Sequence, residues 1–323
     1  MNRREFLVAS ALLTCSPLGA AQGRKQAKIC MLSPVPADRS VWNIPLMQRL
    51  AEAGYRDGAK MKLEYRSSDG IAERLPQQAR ELIASKCDLI YALGPEAPAR
   101  ALQDARSPMP IVFLAIDYDP LEKGIVASLR QPDRNTTGIY VPQAALVAKR
   151  FEIMREVVPA ARNFLVLVDG FSRDQLGPVR AAAGAASIRL TVIEFASPPY
   201  DLASAFESGR KAQVDGFIGS ASPNFSQRRA DIASLLMKHR LPGIGSNQTQ
   251  AEAGYLLSLG PDVIKTTRRA AEMGIRILNG AKTSDIPVEQ ADEFELTVNA
   301  KTAKALGLKV PESVLARAVR IIQ

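Results

Sequence analysis

The sequence predicts an α/β chain folded as two Rossmann-like lobes, each a parallel sheet clad with helices. Three observations carry this. Short apolar runs alternate with longer amphipathic stretches along most of the chain, and that alternation calls for right-handed crossovers between parallel strands. The rhythm stops and restarts near residue 140, giving two rounds of similar size. The chain of 323 residues is long for one core and comfortable for two.

The N-terminus comes first. Asn2-Arg3-Arg4-Glu5 precedes the apolar run Phe6 to Leu13, and small residues follow at Gly19-Ala20-Ala21. A basic start, a short apolar middle and a small-residue end are the marks of a secretory signal peptide. The run is too short to span a bilayer. Residues 1–21 are therefore read as a removable signal peptide and the mature protein as a soluble extracytoplasmic body. Arg3-Arg4 also resembles a twin-arginine export signal. Leu12-Leu13-Thr14-Cys15 resembles a lipid-attachment box, but Thr14 is larger than the usual residue there, so cleavage after Ala21 is preferred.

In the first round, strands are expected at Lys28 to Leu32, Met61 to Tyr65, Asp88 to Ala92 and Ile111 to Ala115. Helices are expected at Val41 to Ala53, Ala72 to Ala84 and Ala97 to Ala105. In the second round, the strands are Asn163 to Val168, Leu190 to Phe195, Gly216 to Ile218, Pro242 to Ile244 and Gly254 to Ser258. Its helices are Pro142 to Val158, Gly177 to Ala186, Leu202 to Lys211 and Gln227 to His239, and Asp262 to Leu278 forms a further long helix. Thr137 to Tyr140 is short and strand-like, which suits a hinge better than a floppy tether.

Several function classes fall away. The formal charge is +9, yet the basic residues are scattered and no Lys/Arg block is interleaved with aromatics, so no nucleic-acid partner is expected. No G-x-G-x-x-G follows the first strand, and neither a phosphate loop nor a G-x-S-x-G elbow occurs. No spacing suits a metal, and no cofactor is expected. His239, the single histidine, sits where a helix should end and reads as structural. Cys30 and Cys87 lie in apolar, strand-like runs. They read as two buried thiols, with a disulfide as the alternative in an oxidising compartment.

Ligands of open parallel sheets bind outside the carboxyl ends of the strands. That rule nominates Ser33, Ser67, Ser68, Gly94, Glu96, Asp117 and Tyr118 in the first round, and Phe171, Ser220, Ser222, Ser246 and Asn247 in the second. Tyr140 at the link and Trp42 after the first loop join them. Hydroxyls, amides and glycines dominate, which suits reversible hydrogen bonding to a small polar molecule. Each residue has a plainer reading. Trp42 stacks on a ligand or anchors the first helix. Ser67-Ser68-Asp69-Gly70 grips a carboxylate or makes an ordinary turn. Ser222 binds ligand or caps the following helix. Glu96 gains from a helix N-terminus and would oppose a ligand carboxylate. Asp117 and Asp119 bind an amine or cap a turn sooner than they act as an acid/base pair. No catalytic residue is assigned.

Longer segments carry a resemblance. Asp119-Pro120-Leu121-Glu122-Lys123-Gly124-Ile125-Val126-Ala127-Ser128-Leu129 leads to Pro132 and Asn135-Thr136-Thr137-Gly138. Gly254 to Pro261, Arg269-Ala270-Ala271, Ile277 to Lys282, Ile286 to Gln290, Phe294-Glu295-Leu296 and Asn299 to Leu308 follow. Together they resemble the ABC-transporter substrate-binding proteins associated with tryptophan and tyrosine uptake, over nearly the whole mature chain. Pro95-Glu96 stands where that pattern usually carries Thr, and Leu259 where it carries Tyr. The resemblance implies a type I periplasmic-binding fold with a ligand clamped between lobes joined by three crossings. It implies an N-terminal lobe of residues 22–138 plus about 259–290, and a C-terminal lobe of 139–258 plus about 291–323. It further implies a non-catalytic monomer that binds an amino acid or related molecule and delivers it to a membrane permease. A sensing domain of the same fold, a sugar ligand and an exported carboxylate-dependent enzyme are the alternatives.

Overall fold

The computed structural model describes residues 26–116, 118–132 and 135–323. The expected signal peptide, Cys15 and Asp117 lie outside the described residues.

Five strands open the chain: β1 Ala27–Ser33, β2 Met61–Ser67, β3 Leu89–Gly94, β4 Ile111–Ala115 and β5 Thr136–Tyr140. They pair in parallel in the order β2-β1-β3-β4-β5. Successive side chains of a strand point to opposite faces. Ile29 and Met31 accordingly pack with Leu46 and Leu50, while Cys30 and Leu32 pack with Leu75, Ala79 and Leu82. Helices on both faces make these strands continuous apolar runs instead of alternating ones.

The second sheet repeats the plan with β6 Asn163–Val168, β7 Arg189–Glu194, β8 Gly216–Ile218, β9 Gly243–Gly245 and β10 Leu257–Pro261. Their order is β7-β6-β8-β9-β10, again all parallel. Phe164, Val166 and Val168 face one core, and Leu165 and Leu167 the other. Three late strands complete both sheets: β11 Glu289–Gln290 joins β5 in the first, and β12 Phe294–Asn299 and β13 Arg320–Ile322 extend the second beyond β10.

The chain crosses between sheets three times. It leaves the first after Val141 and enters helix Gln143–Val157, which packs on the second sheet. It returns at Asp262, where helix Val263–Leu278 begins, and that helix packs on β4 and β5. It leaves again after β11. The return falls beyond the expected boundary near residue 259, because Leu259, Gly260 and Pro261 pair with Leu296, Glu295 and Phe294 and so stay in the second sheet.

Other expectations need correction. The second sheet is not wholly parallel: β12 runs antiparallel to β10. The link from β11 is too short to hold a crossover helix, so the chain enters the sheet running the opposite way. Thr137 to Tyr140 is strand, as expected: it lies in β5, which is fully buried, and the chain leaves the first sheet just after it. The strand expected from Gly254 starts at Leu257. A helix, Gln248–Ala253, precedes it, opened by an Asn247/Gln250 capping box and ended at Gly254, whose φ is +123°. The helix expected at Gln227 to His239 is two helices, Pro223–Gln227 and Arg229–Lys238. Cys30 and Cys87 are joined by a disulfide, not left as thiols. Parallel pairing sets Cys30 opposite Ile90 of β3, which brings the two Cα atoms to 5.9 Å.

His239 ends helix Arg229–Lys238 and packs against the Phe206 ring, a structural place. Arg150 is wholly buried. Its Nε donates to the Leu259 carbonyl at 2.9 Å and a terminal nitrogen to Gln143 Oε1 at 2.8 Å. Burial disfavours its charged form.

Candidate functional site

In each sheet the strand order reverses once, between β1 and β3 and between β6 and β8, and ligands bind at such points. The two crevices face one another across a shared cavity. Ser33 to Val35 enter it from the end of β1, Leu93 to Pro95 from β3 and Ile116 from β4. Ala221 to Pro223 enter from the end of β8, and Ser246 and Asn247 from β9. Arg39 to Trp42 close one side, and Ser226 and Gln227 the other. The enclosed cavity is small, about 50 Å³, and its mouth and adjoining solvent bring the empty space to about 580 Å³. Its walls are mainly apolar, with hydroxyls and amides spaced among them.

Six residues expected from the sequence therefore meet there: Ser33, Trp42, Gly94, Ser222, Ser246 and Asn247. Trp42 fills both of its readings. It is 8 % exposed and packs with the first lobe's core, yet it also forms cavity wall. Ser222 likewise has two tasks. Its Oγ accepts from the backbone N–H of Asn224 and Phe225, capping helix Pro223–Gln227. It also donates to Asp169 Oδ2 at 2.6 Å. Gly94 lies at φ +107°, a backbone state open to glycine at little cost.

The other nominees are elsewhere. Ser67 Oγ donates to Asp69 Oδ1 at 2.8 Å, which is turn chemistry. Ser68 is buried beside β1, its N–H bonded to the Ser33 carbonyl. Ser220 Oγ is held by the Leu167 carbonyl, and Tyr140 Oη donates to Gln290. Asp119 caps its turn through the N–H groups of Leu121 and Glu122. Glu96, Tyr118 and Phe171 line a separate hollow. Glu96 is bound there by Arg100 and Lys123, so its charge does not face the main cavity.

That hollow marks where the lobes grip each other. Phe171, from the second lobe, packs into the first lobe's core beside Tyr118, Tyr140 and Val288. Lys123, from the first, bonds to Asp174 of the second and lies 3.4 Å from Glu96. The Asp174 hydrogen bond, above all, raises the Lys123 pKa. On the far side Gly70 touches Asn224: a Cβ at Gly70 would lie 2.3 Å from its Oδ1. The lobes are closed on one another.

Beneath the cavity sits Asp169, 1 % exposed. Its Oδ1 accepts from the Phe171 N–H and the Ser172 hydroxyl, and its Oδ2 from Tyr200, Ser222 and Asn224. Burial, then the Asp169 charge, pushes the Tyr200 phenol well above its usual range. Sequence reasoning nominated Phe171 in the same strand-end loop but not Asp169. It missed Arg39, Ser40, Val41, Ser226 and Gln227 altogether. For Arg39, Ser40 and Val41 the signal was the length of the segment from Ser33 to Trp42, too long for a simple turn into the helix; Ser226 and Gln227 left none.

Gly260 holds a site loop in place by having no side chain. A Cβ there would lie 1.8 Å from the Ser246 carbonyl oxygen, a backbone atom. Gly260→Ala is expected to displace Ser246 and Asn247 and to cost about 1–3 kcal/mol, as overpacking does. Urea unfolding checks the loss, and weakened ligand binding checks the displacement.

Two lobes of this topology, closing on one cleft at their strand ends, define the type I periplasmic-binding fold. The chain agrees in sequence with the model for ABC transporter substrate binding proteins over residues 44–322. It belongs to that family. It is 25% identical over 266 residues to a tyrosine-binding protein of Clostridioides difficile strain R20291, covering 81% of this chain and 75% of that one. A conserved domain protein from Vibrio cholerae superposes with a TM-score of 0.82 at 24% identity, covering 92% of this chain and 100% of that one. An ABC domain from Streptococcus pneumonia, in complex with L-Trp, superposes with a TM-score of 0.79, also at 24% identity and with the same coverage. Proteins of this family are extracytoplasmic, bind a small ligand and work with an ABC permease. Among the described residues no helix is long and apolar enough to cross a membrane.

Proposed function

We propose that this protein, exported by its N-terminal signal, works as a periplasmic monomer that captures an aromatic amino acid or a closely related carboxylate. It holds the ligand unchanged in the interlobe cavity and presents it to a membrane permease. The observation that carries this reading is the cavity itself, an apolar chamber walled by Trp42 and rimmed by hydroxyls at facing strand ends. The apolar part of the ligand lies against Trp42, Val35, Leu93 and Ile116. Ser33, Ser222, Ser246 and Asn247, with the backbone at Gly94, bond its polar end. Asp117 follows Ile116 directly and supplies the counter-charge for an amine. Relatives that bind tyrosine and L-Trp support the ligand class.

The energetics are adequate. A closed state populated at ~1% without ligand needs a bias of several kcal/mol to dominate. A micromolar ligand offers about 8 kcal/mol. The Phe171 packing and the Lys123–Asp174 pair add to the bias before any ligand arrives.

Native mass spectrometry of gently purified protein, then a thermal-shift screen of amino acids, aromatic acids and sugars, tests the proposal. Tyrosine, tryptophan or phenylalanine should raise the melting temperature. Asp117→Asn should weaken those amino acids by on the order of 10- to 100-fold, the worth of a charged hydrogen bond, and leave their des-amino acids unchanged. A response to sugars alone, or to nothing, overturns it.

A further inference from the structure

Resting on that reading, we propose that Arg39 selects the ligand's chemical class: it pairs with an anionic end group at the cavity mouth, while the apolar body points inward past Trp42. Among the described residues lining the cavity, Arg39 alone carries a charge. It ends the short turn Ala37–Arg39 and is exposed. No described carboxylate lies within ion-pair distance of it, although Asp38 is its neighbour in sequence.

The surroundings favour an anion. The cavity opens into an outer groove that shares Arg39, Ser40, Val41 and Gln227 with it. Arg228 and Arg229 also line that groove, against Asp38 and Asp69. Of the other charges there, Asp38 forms no ion pair among the described residues, and the rest have partners. Asp69 is paired with Arg74 at 3.3 Å, Arg228 with Asp231 at 2.9 Å, and Arg229 donates to the Ser226 carbonyl. Arg39 is left with an open guanidinium fork, whose planar donors match a carboxylate two bonds at a time. A neutral ligand would forgo that pairing, and a cationic one would be repelled.

The test is calorimetry on the full mature protein with indole-3-propionate, its neutral amide and L-tryptophan. Wild type, Arg39→Gln, Arg39→Lys and the surface control Arg80→Gln are compared. Wild type should prefer the acid over its amide by on the order of 10- to 100-fold. Arg39→Gln should abolish that preference by weakening the acid far more than the amide, with the melting temperature unchanged, and Arg39→Lys should keep part of it. Raised salt should weaken the acid alone. Equal binding of acid and amide by wild type, or equal losses for both in Arg39→Gln, overturns the role of Arg39 and leaves the cavity reading standing. If wild type binds no aromatic amino acid or aromatic acid, the cavity reading itself fails and this inference with it.

Discussion

Asp169→Ala should destabilise the protein by about 3–5 kcal/mol, the range for breaking a buried charged network. The carboxylate is almost fully enclosed and accepts five hydrogen bonds. Alanine would leave buried hydroxyl, amide and backbone donors without an acceptor, and such orphaned groups cost more than a bond is worth when made. The damage should also reach function. Ser222 forms cavity wall, and Phe171 locks into the opposite lobe; both are oriented by Asp169. Asp169→Asn should be milder, keeping one acceptor but placing an amide group before three donors. Urea unfolding read beside ligand affinity checks both variants. Equal stability for Asp169→Ala and wild type would refute the account.

Removing the Cys30–Cys87 bond should produce a loss of comparable size with a different signature. The bonded residues are 57 apart in sequence, and closing a loop of that length restricts the unfolded chain by about 4 kcal/mol. The double variant Cys30→Ala/Cys87→Ala should therefore lose about 2–4 kcal/mol. Cys30 lies within β1 and Cys87 just ahead of β3, whereas the cavity lies at the far ends of both strands. Ligand affinity should thus change little while the unfolding midpoint falls, and reduced wild type should match the variant. A large fall in affinity with stability intact would contradict this.

These two cases show what the sequence disclosed and what it withheld. Strands β4 and β6 were legible at once, because each is an unbroken apolar run buried on both faces. The strand-end rule found Ser33, Gly94, Ser222, Ser246 and Asn247, since crossover topology dictates where strand ends must gather. Pairing partners were not legible. The disulfide depends on β1 lying beside β3, and the reversed β12 depends on where the third crossing enters the sheet; neither leaves a local trace. Asn247 to Gln250 misled in another way. Asn247 was read only as a ligand residue, its capping-box spacing to Gln250 went unread, and the helix that it starts was missed. Ser67 and Ser220 looked like ligand hydroxyls but satisfy their own turn and strand. Arg39 was hidden among scattered basic residues, because only the fold separates a cation facing a cavity from one facing solvent.

Arg150 has one more consequence. It grips Gln143, where the chain first enters the second lobe, and Leu259, just before the chain turns back. A single buried side chain thus ties the second lobe's entry helix to its exit strand, and anchors on one body the places where two of the three crossings begin.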